Sequence, residues 1–316
     1  MRKHSLGAIR RAALAAAAAL AAANALVAAV ALVAAVALLA AVALLAAVAV
    51  PALAGPPARQ LKIVRPVLQQ YDGGPALASG FRFLTGDVVF LSFEIGGYEV
   101  SPESKVDLGY TIEALDPDGV PVAETLRGTV ATEVSPEDKN WMPIVRESAT
   151  LPPLAWGGTY RLRIAVEDKL SKQTANTEIE IPVRGRDIER SQTLAVRNFR
   201  FLRTEEDANP LLDAVFHPGD SLWARFEFTG YGYGQKNHIH VEYGVALVDA
   251  SGKTLFAAAQ AAVEDEDSFY PKRYLEGALK LDLEKKFRPG QYAVVLTLRD
   301  GVGNGTEETR HEFRVE

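Results

Sequence analysis

Apolar and polar residues alternate with a period of two through most of the chain after residue 60. The alternation is clearest in two stretches, whose apolar positions are Val89, Leu91, Phe93 and Ile95, and then Leu222, Ala224, Phe226 and Phe228. This period predicts β-strands with one buried face. Turn residues such as Asp116-Pro117-Asp118-Gly119 separate the alternating stretches, and no amphipathic helix lies between them. The pattern predicts an all-β protein with about seven or eight short strands in each half.

The two halves of this region repeat each other. Phe83 matches Phe216 at an offset of 133 residues, and the offset becomes 132 from Leu151 and Leu283 onward. The other matched pairs include Gly86/Gly219, Gly97/Gly230, Tyr110/Tyr243, Asp116/Asp249, Gly119/Gly252, Gly158/Gly290, Tyr160/Tyr292 and Asp168/Asp300. Solenoid units are about 20–50 residues long, so a repeat of this length indicates tandem domains. We predict one domain over 60–184 and a second over 191–316, joined by a short charged linker.

A Gly-x-Tyr sequence opens the penultimate predicted strand of each copy, at Tyr160 and Tyr292. A tyrosine at this place resembles the tyrosine corner of immunoglobulin-like sandwiches, whose hydroxyl bonds back to the preceding connection. The Arg-Pro-Gly-Gln-Tyr run that ends at Tyr292 and the final Phe-Arg-Val that ends at Val315 are similar to bacterial immunoglobulin-like and fibronectin-III-like modules. The resemblance implies two tandem antiparallel β-sandwiches and implies no catalytic residues.

The first 54 residues differ in character from the rest. Four basic residues precede a run without charge from Ala12 to Ala58, in which a six-residue Ala/Leu/Val repeat occurs four times. Ala52-Leu53-Ala54 then provides a cleavage site of the secretory type. The apolar run exceeds the roughly 20 residues that cross a bilayer. We therefore predict a signal peptide or, if it is retained, a hydrophobic helix that anchors the chain, with the rest periplasmic or extracellular.

Composition and charge narrow the function further. The 316 residues include no cysteine, so exported domains of about 130 residues must be stabilised by apolar cores instead of disulfides. The formal net charge is −6, and removing residues 1–54, with four positive and no negative charges, makes it −10. A nucleic-acid-binding protein needs a basic face, which this charge argues against. The sequence predicts no cofactor.

The strongest candidate for metal chemistry is His238, His240 and Glu242, which alternate along a predicted strand and should share its outward face. Two imidazoles and a carboxylate are plausible zinc ligands. Residues i and i+2 of a strand are about 6.6–7 Å apart, however, which favours a solvated polar face. The first copy does not repeat the set, because its equivalent positions hold Lys105, Asp107 and Gly109.

A run of four acids at 264–267 is a second candidate for binding a cation. Calcium prefers such oxygen ligands, but the alternating Asp framework of a calcium loop is missing beside the run. We interpret it as an exposed acidic loop.

Aromatic residues are candidates for ligand binding. Phe90 and Trp223 occupy equivalent positions that point away from the predicted cores, and Tyr231 and Tyr233 lie in a Gly-Tyr-Gly-Tyr-Gly loop. Outward aromatic residues can mark a protein-binding or glycan-binding face. Packing under a loop or against the other domain is the competing interpretation, since single surface apolar residues are common.

The sequence contains no Gly-x-Ser-x-Gly elbow, phosphate-binding loop or His-Glu-x-x-His motif. We therefore predict an exported, non-catalytic binding or structural module of the bacterial cell envelope. Its partner would be an envelope protein or glycan, and it would meet the membrane only through an uncleaved N-terminal segment. The alternatives are a pair of carbohydrate-binding modules and a metal-binding protein that uses the second domain.

Overall fold

A computed structural model of the protein describes residues 60–135, 137–138 and 140–316. They belong to one compact unit, Arg59–Glu316, and the predicted signal or anchor helix lies outside the described residues. None of the helical structure in this part of the chain is long and apolar enough to span a membrane. The described residues are all-β, as predicted, apart from a short 3₁₀ turn at Gln235–Asn237.

The first half of the described region contains eight strands in two sheets. These strands are β1 (Lys62–Gln69), β2 (Phe83–Leu84), β3 (Val88–Gly96), β4 (Lys105–Leu115), β5 (Leu126–Glu133), β6 (Ile144–Thr150), β7 (Gly158–Asp168) and β8 (Thr174–Arg184). One sheet has the order β1-β3-β6 and the other β2-β8-β7-β4-β5. All neighbours are antiparallel except β2 and β8.

The second half repeats this arrangement. Its strands are β9 (Ala195–Leu202), β10 (Val215–Phe216), β11 (Ser221–Thr229), β12 (Ile239–Asp249), β13 (Thr254–Glu266), β14 (Leu275–Asp282), β15 (Gly290–Asp300) and β16 (Thr306–Val315). The sheet orders are β14-β11-β9 and β10-β16-β15-β12-β13. Each strand corresponds to the strand eight places earlier, so the repeat in the sequence is a repeat of strand topology. We call β1–β8 the first sandwich and β9–β16 the second.

Each pair of sheets encloses its own apolar core. In β3 the alternate residues Val89, Leu91, Phe93 and Ile95 are all buried, and the corresponding residues of β11 are buried in the second core. Burying one such side chain contributes roughly 1.5–3 kcal/mol. The period-two pattern therefore places the core correctly, and two cores of this size stabilise the fold without disulfides.

The tyrosine corners predicted from the sequence are confirmed. The Tyr160 hydroxyl donates a hydrogen bond of 2.7 Å to the Trp156 carbonyl, and the Tyr292 hydroxyl donates one of 2.8 Å to the Arg288 carbonyl. In both sandwiches the tyrosine thus fastens the penultimate strand to the connection that precedes it. Together with the strand order, this feature is that of an immunoglobulin-like β-sandwich.

An unusual backbone conformation also recurs at equivalent positions that hold different residue types. Arg65 and Asn198 are 133 residues apart and have φ angles of 50° and 48°. Each lies where the register of the first strand shifts against its neighbour. A β-bulge with a left-handed residue is therefore conserved between the copies although the residue type is not.

Gly97 and Gly230 show why the matched glycines are required. Both have a φ of 78°, and a Cβ atom at either position would overlap a backbone carbonyl oxygen, that of Gln60 or that of Thr193. The chain entering the first strand passes directly against the end of the third strand in each sandwich. Only glycine permits both this backbone conformation and this close approach.

We expect Gly97→Ala and Gly230→Ala each to lower the free energy of unfolding by at least about 2 kcal/mol, because the new methyl group must displace backbone. Gly109→Ala is the matched control, since its Cβ would meet only Lys169 Cε at 3.6 Å; its effect should stay below about 1 kcal/mol. Urea unfolding followed by circular dichroism measures the differences. Equal effects for all three variants would contradict this account.

Candidate functional site

The two predicted histidines lie at the start of β12: His238 directly precedes the strand, and His240 is its second residue. β12 runs antiparallel to β13, and their register places His240 directly opposite Asp265. Residues directly opposite each other in an antiparallel pair have their side chains on the same face. His238 precedes His240 by two positions, and Asp267 follows Asp265 by two, so all four side chains project from one face of the sheet.

The structure brings this histidine pair and the acidic run together. His238 Nδ1 lies 3.0 Å from Asp267 Oδ1, and His238 Nε2 lies 3.6 Å from Asp265 Oδ1. His240 Nδ1 lies 3.0 Å from the second oxygen of Asp265. Asp265 therefore faces both imidazoles. We call His238, His240, Asp265 and Asp267 the His–Asp cluster.

The acidic run is not the separate loop that the sequence suggested. Residues 264–266 are the last three of β13, and only Asp267 lies beyond the strand. The side chains therefore alternate: Asp265 and Asp267 face the histidines, whereas Glu266 forms an ion pair with Lys272. A calcium loop, in which consecutive oxygens wrap one ion, is incompatible with this extended backbone.

Glu242, the third member of the predicted metal set, is engaged elsewhere. Its carboxylate accepts a hydrogen bond of 2.8 Å from Gln260 Nε2 and lies 3.3 Å from Arg299 Nη1. Within the described ranges, no three histidine, aspartate or glutamate side chains are grouped as a ready metal site. Metal binding by His238, His240 and Glu242 thus stays a prediction. The carboxylate that contacts both histidines is Asp265, which the sequence did not indicate.

Phe90 and Trp223 lie where the alternation put them, on the outward faces of β3 and β11, and both are half-buried. Lys280 Nζ lies 5.8 Å from the centre of the Trp223 ring, which is within the range of a cation–π contact. Phe90 belongs to the first sandwich and Trp223 to the second.

Tyr231 and Tyr233 are fixed to their own sandwich. Both hydroxyls donate hydrogen bonds to the carbonyl of Lys272. Tyr231 is buried in the second core, whereas 40% of Tyr233 is exposed. Tyr231, a candidate ligand-binding residue in the sequence, is therefore a core residue of the second sandwich.

A buried carboxylate joins the two sandwiches. Asp116, which is 1% exposed, follows β4 and accepts hydrogen bonds at Oδ1 from the backbone N–H groups of Asp118 and Val120. Its other oxygen accepts hydrogen bonds from the second sandwich, at 2.9 Å from the Tyr270 hydroxyl and 2.6 Å from Arg273 Nη2. Arg273 Nε also donates to the Tyr270 hydroxyl. Both oxygens of a buried anion are thereby satisfied, as burial requires.

A small group of apolar and aromatic side chains also joins the sandwiches. The ring centres of Trp156, in the β6–β7 connection, and Tyr274, just before β14, are 5.7 Å apart. Ile188 of the segment between the sandwiches is buried with them, and Leu154 packs against the group. The guanidinium of Arg190 lies 5.0 Å from the Trp156 ring centre. The contact between the sandwiches therefore combines a small apolar cluster with the buried ion pair of Asp116 and Arg273.

The segment between β8 and β9 is also attached to the second sandwich. Arg186 contacts two carboxylates there, Glu227 at 3.0 Å and Glu276 at 2.8 Å. Glu227 is 2% exposed and also meets Arg200 at 3.2 Å. Arg186, one of the charged residues of the predicted linker, thus binds the second sandwich.

Sequence reasoning missed this interface, although one signal was present. Asp116 and Asp249 match in the repeat, but Asp249 accepts hydrogen bonds only within its own turn, from Ser251 and Lys253. Tyr270 and Arg273 lie in a connection where the two copies differ in length, and no periodic pattern covers it. From the sequence, Asp116 is therefore indistinguishable from an ordinary turn residue, and only the structure shows its contact with the second sandwich.

The electrostatics of Asp116 follow from these contacts. Burial alone would raise the pKa of its carboxyl group, but the Val120 backbone N–H, the Arg273 guanidinium and the Tyr270 hydroxyl together lower the pKa. Asp168 behaves in the same way: burial opposes ionisation, and hydrogen bonds from Glu99, Ser171 and Leu170 outweigh it and lower the pKa. Both carboxylates are ionised at neutral pH and hold loops in place.

Strand order, paired tyrosine corners and the core positions define the chain as an immunoglobulin-like β-sandwich protein. No family model matches the sequence, and no curated protein matches it either.

Solved structures with detectable similarity are distant. The C-terminal domain of the antigen I/II-family protein AspA of Streptococcus pyogenes is 10% identical, over 81% of this chain and 99% of that chain, with a TM-score of 0.31. The C-terminal domain of the antigen I/II polypeptide BspA of Streptococcus agalactiae is also 10% identical, over 80% of this chain and 99% of that chain, with a TM-score of 0.28. Red sea bream transglutaminase is 12% identical over 83% of this chain, with a TM-score of 0.24, and this chain spans 32% of it. These TM-scores are low, so the fold assignment rests on the strand order of the chain itself.

We expect Asp116→Asn to lower the free energy of unfolding by about 2–4 kcal/mol at pH 7, because Arg273 loses its buried counter-charge. The folded pKa of Asp116 is lowered, so its contribution is complete above the unfolded value of about 3.9 and disappears as pH falls through the folded pKa. Urea unfolding at pH 7 and in steps below pH 4 should show the variant and the unmodified protein converging in acid.

Asp249→Asn is the control for this prediction, because Asp249 occupies the matching turn without a partner in another sandwich. It should cost much less stability than Asp116→Asn. Similar losses for both variants would mean that the turn, and not the contact between the sandwiches, accounts for the effect.

Proposed function

We propose that this chain is an exported, non-catalytic binding or structural module of a bacterial cell envelope, built as two sandwiches held in a fixed relation. The contact between Asp116 and the Tyr270–Arg273 pair carries this proposal. A flexible tether would leave these groups solvated, whereas here the carboxylate is buried and its counter-charge is supplied by the other sandwich. Moving the sandwiches apart would leave a buried charge unpaired, which is costly.

A fixed pair of sandwiches is suited to hold a partner-binding surface at a set distance and orientation. Inter-domain contacts in proteins are commonly polar and permit motion. This one adds the Trp156–Tyr274 stack and the buried Ile188 to its ion pairs. We infer that the module acts as a stiff spacer or presents one of its sheet faces to an envelope protein or glycan.

The non-catalytic part of the proposal rests on the residues that the two copies share. Both copies keep turn glycines, core aromatic residues, corner tyrosines and loop-holding aspartates, each of which has a structural task described above. The charged groups of the interface are likewise engaged with each other. A reproducible hydrolytic or transfer activity of the purified protein would overturn this part.

The stiffness can be measured directly, because the chain contains no cysteine. We expect spin labels at Glu180→Cys and Glu312→Cys, exposed equivalent positions of β8 and β16, to give one narrow distance distribution by pulsed electron resonance. Arg273→Ala should broaden it, because the buried carboxylate loses its partner.

Arg299→Ala is the matched control for that measurement, since Arg299 forms its ion pair with Glu242 inside the second sandwich. It should leave the width of the distribution unchanged. A broad distribution in the otherwise unmodified protein would exclude a stiff spacer, whatever the variants do.

Export is the second testable part. We expect protein recovered from its native envelope to begin at Gly55 when its N-terminus is sequenced, because Ala52-Leu53-Ala54 has the small-residue pattern of a cleavage site. An intact basic start in the membrane fraction would instead mean an anchored module. Recovery of the intact chain only from the cytoplasm would contradict export.

A further inference from the structure

The His–Asp cluster is the one group of ligand-type side chains described above to which the spacer role assigns no task. It lies at the start of β12 and the end of β13, where 36% of the His238 side chain, 39% of the His240 side chain and 53% of the Asp265 side chain are exposed. These residues contribute nothing to either apolar core.

The separation between His238 and Asp265 is close to that between two ligands of one metal ion. Zinc binds imidazole nitrogen and carboxylate oxygen at about 2.0–2.1 Å in tetrahedral geometry, which places neighbouring ligand atoms about 3.3 Å apart. His238 Nε2 and Asp265 Oδ1 are 3.6 Å apart, and His240 Nδ1 and Asp265 Oδ2 are 3.0 Å apart. His238 Nε2 and Asp265 Oδ1 are thus placed like two ligands of one ion, whereas His240 Nδ1 is hydrogen-bonded to the other oxygen of Asp265.

Asp267 supplies the support that metal-binding histidines usually have. Its Oδ1 lies 3.0 Å from His238 Nδ1. With the proton on Nδ1, the imidazole donates to this carboxylate and presents Nε2 to a metal. Carboxylates of this kind fix the tautomer and orientation of the ligand ring.

We propose that His238, His240 and Asp265 bind a divalent transition-metal ion of the zinc type, with Asp267 orienting His238. No three of these side chains surround one point in the described structure. To bind the same ion as His238 and Asp265, the His240 imidazole must therefore rotate about its side-chain bonds. Exposed side chains make such rotations within nanoseconds. Imidazole nitrogen favours zinc over calcium or magnesium, which prefer oxygen ligands.

The first sandwich shows what the same positions look like without the cluster. Lys105 and Asp107 occupy the histidine positions, and β4–β5 pairing places Glu133 and Ala131 opposite them. Asp107 is neutralised by Lys169 at 2.8 Å. The site therefore belongs to the second sandwich alone, and the proposal is independent of the spacer role.

The test is calorimetric titration of the full-length protein with zinc chloride. We expect a single zinc ion to bind, and Asp265→Asn and His238→Asn to abolish binding. Asp267→Asn should weaken the affinity roughly 10-fold, as expected for a residue that orients a ligand. Thermal unfolding without zinc should be the same for these variants and the unmodified protein, because the side chains lie outside the cores.

Two controls separate this site from weaker possibilities. Glu242→Gln should bind zinc like the unmodified protein, because Glu242 is held by Arg299 and Gln260. His217→Asn should also be unaffected, since among the described residues the one carboxylate paired with His217 is Asp220, at 3.5 Å. Absence of zinc binding by the unmodified protein, or undiminished binding by Asp265→Asn, would overturn the proposal, and neither result would affect the measurement of stiffness.

Discussion

A single buried carboxylate sets the relation between the two halves of this molecule. Asp116 has donors from its own turn on one oxygen and donors from the other sandwich on the second. Such an ion pair adds little net stability compared with an apolar contact, but breaking it leaves an uncompensated charge in a buried place. The pair therefore acts mainly on geometry: it penalises every arrangement of the sandwiches in which Arg273 does not reach Asp116.

The interface uses a residue that first served the fold. In the second sandwich, the equivalent Asp249 caps its turn and stays at the surface. In the first, the same turn leaves one carboxylate oxygen free to accept from a neighbouring domain. The same turn therefore has two uses: Asp249 stabilises only its own turn, whereas Asp116 also accepts from Tyr270 and Arg273 of the β13–β14 connection.

Local pattern predicted much of the fold because each predicted feature depends on nearby residues. Period-two alternation identified the core faces of β3 and β11, and the Gly-x-Tyr spacing identified both tyrosine corners. The His–Asp cluster depended on cross-strand register instead. Between Tyr243↔Ala262 and Val245↔Ala258, β13 advances four residues while β12 advances two. That irregularity determines which acidic residues lie opposite the histidines. No turn residue or break in the alternation of the sequence predicts it.

The differences between the sandwiches are concentrated where change costs least. Cores, crossing glycines and corner tyrosines are retained in both copies because each is required for the backbone to close around its core. His238, His240 and Asp265 lie on the face of β12 and β13 opposite the buried Ile239 and Val241, so they take no part in the packing of the second core. The two sandwiches therefore differ at matching places: the Asp116 turn of the first contacts the second, whereas the Asp249 turn of the second has no such contact among the described residues.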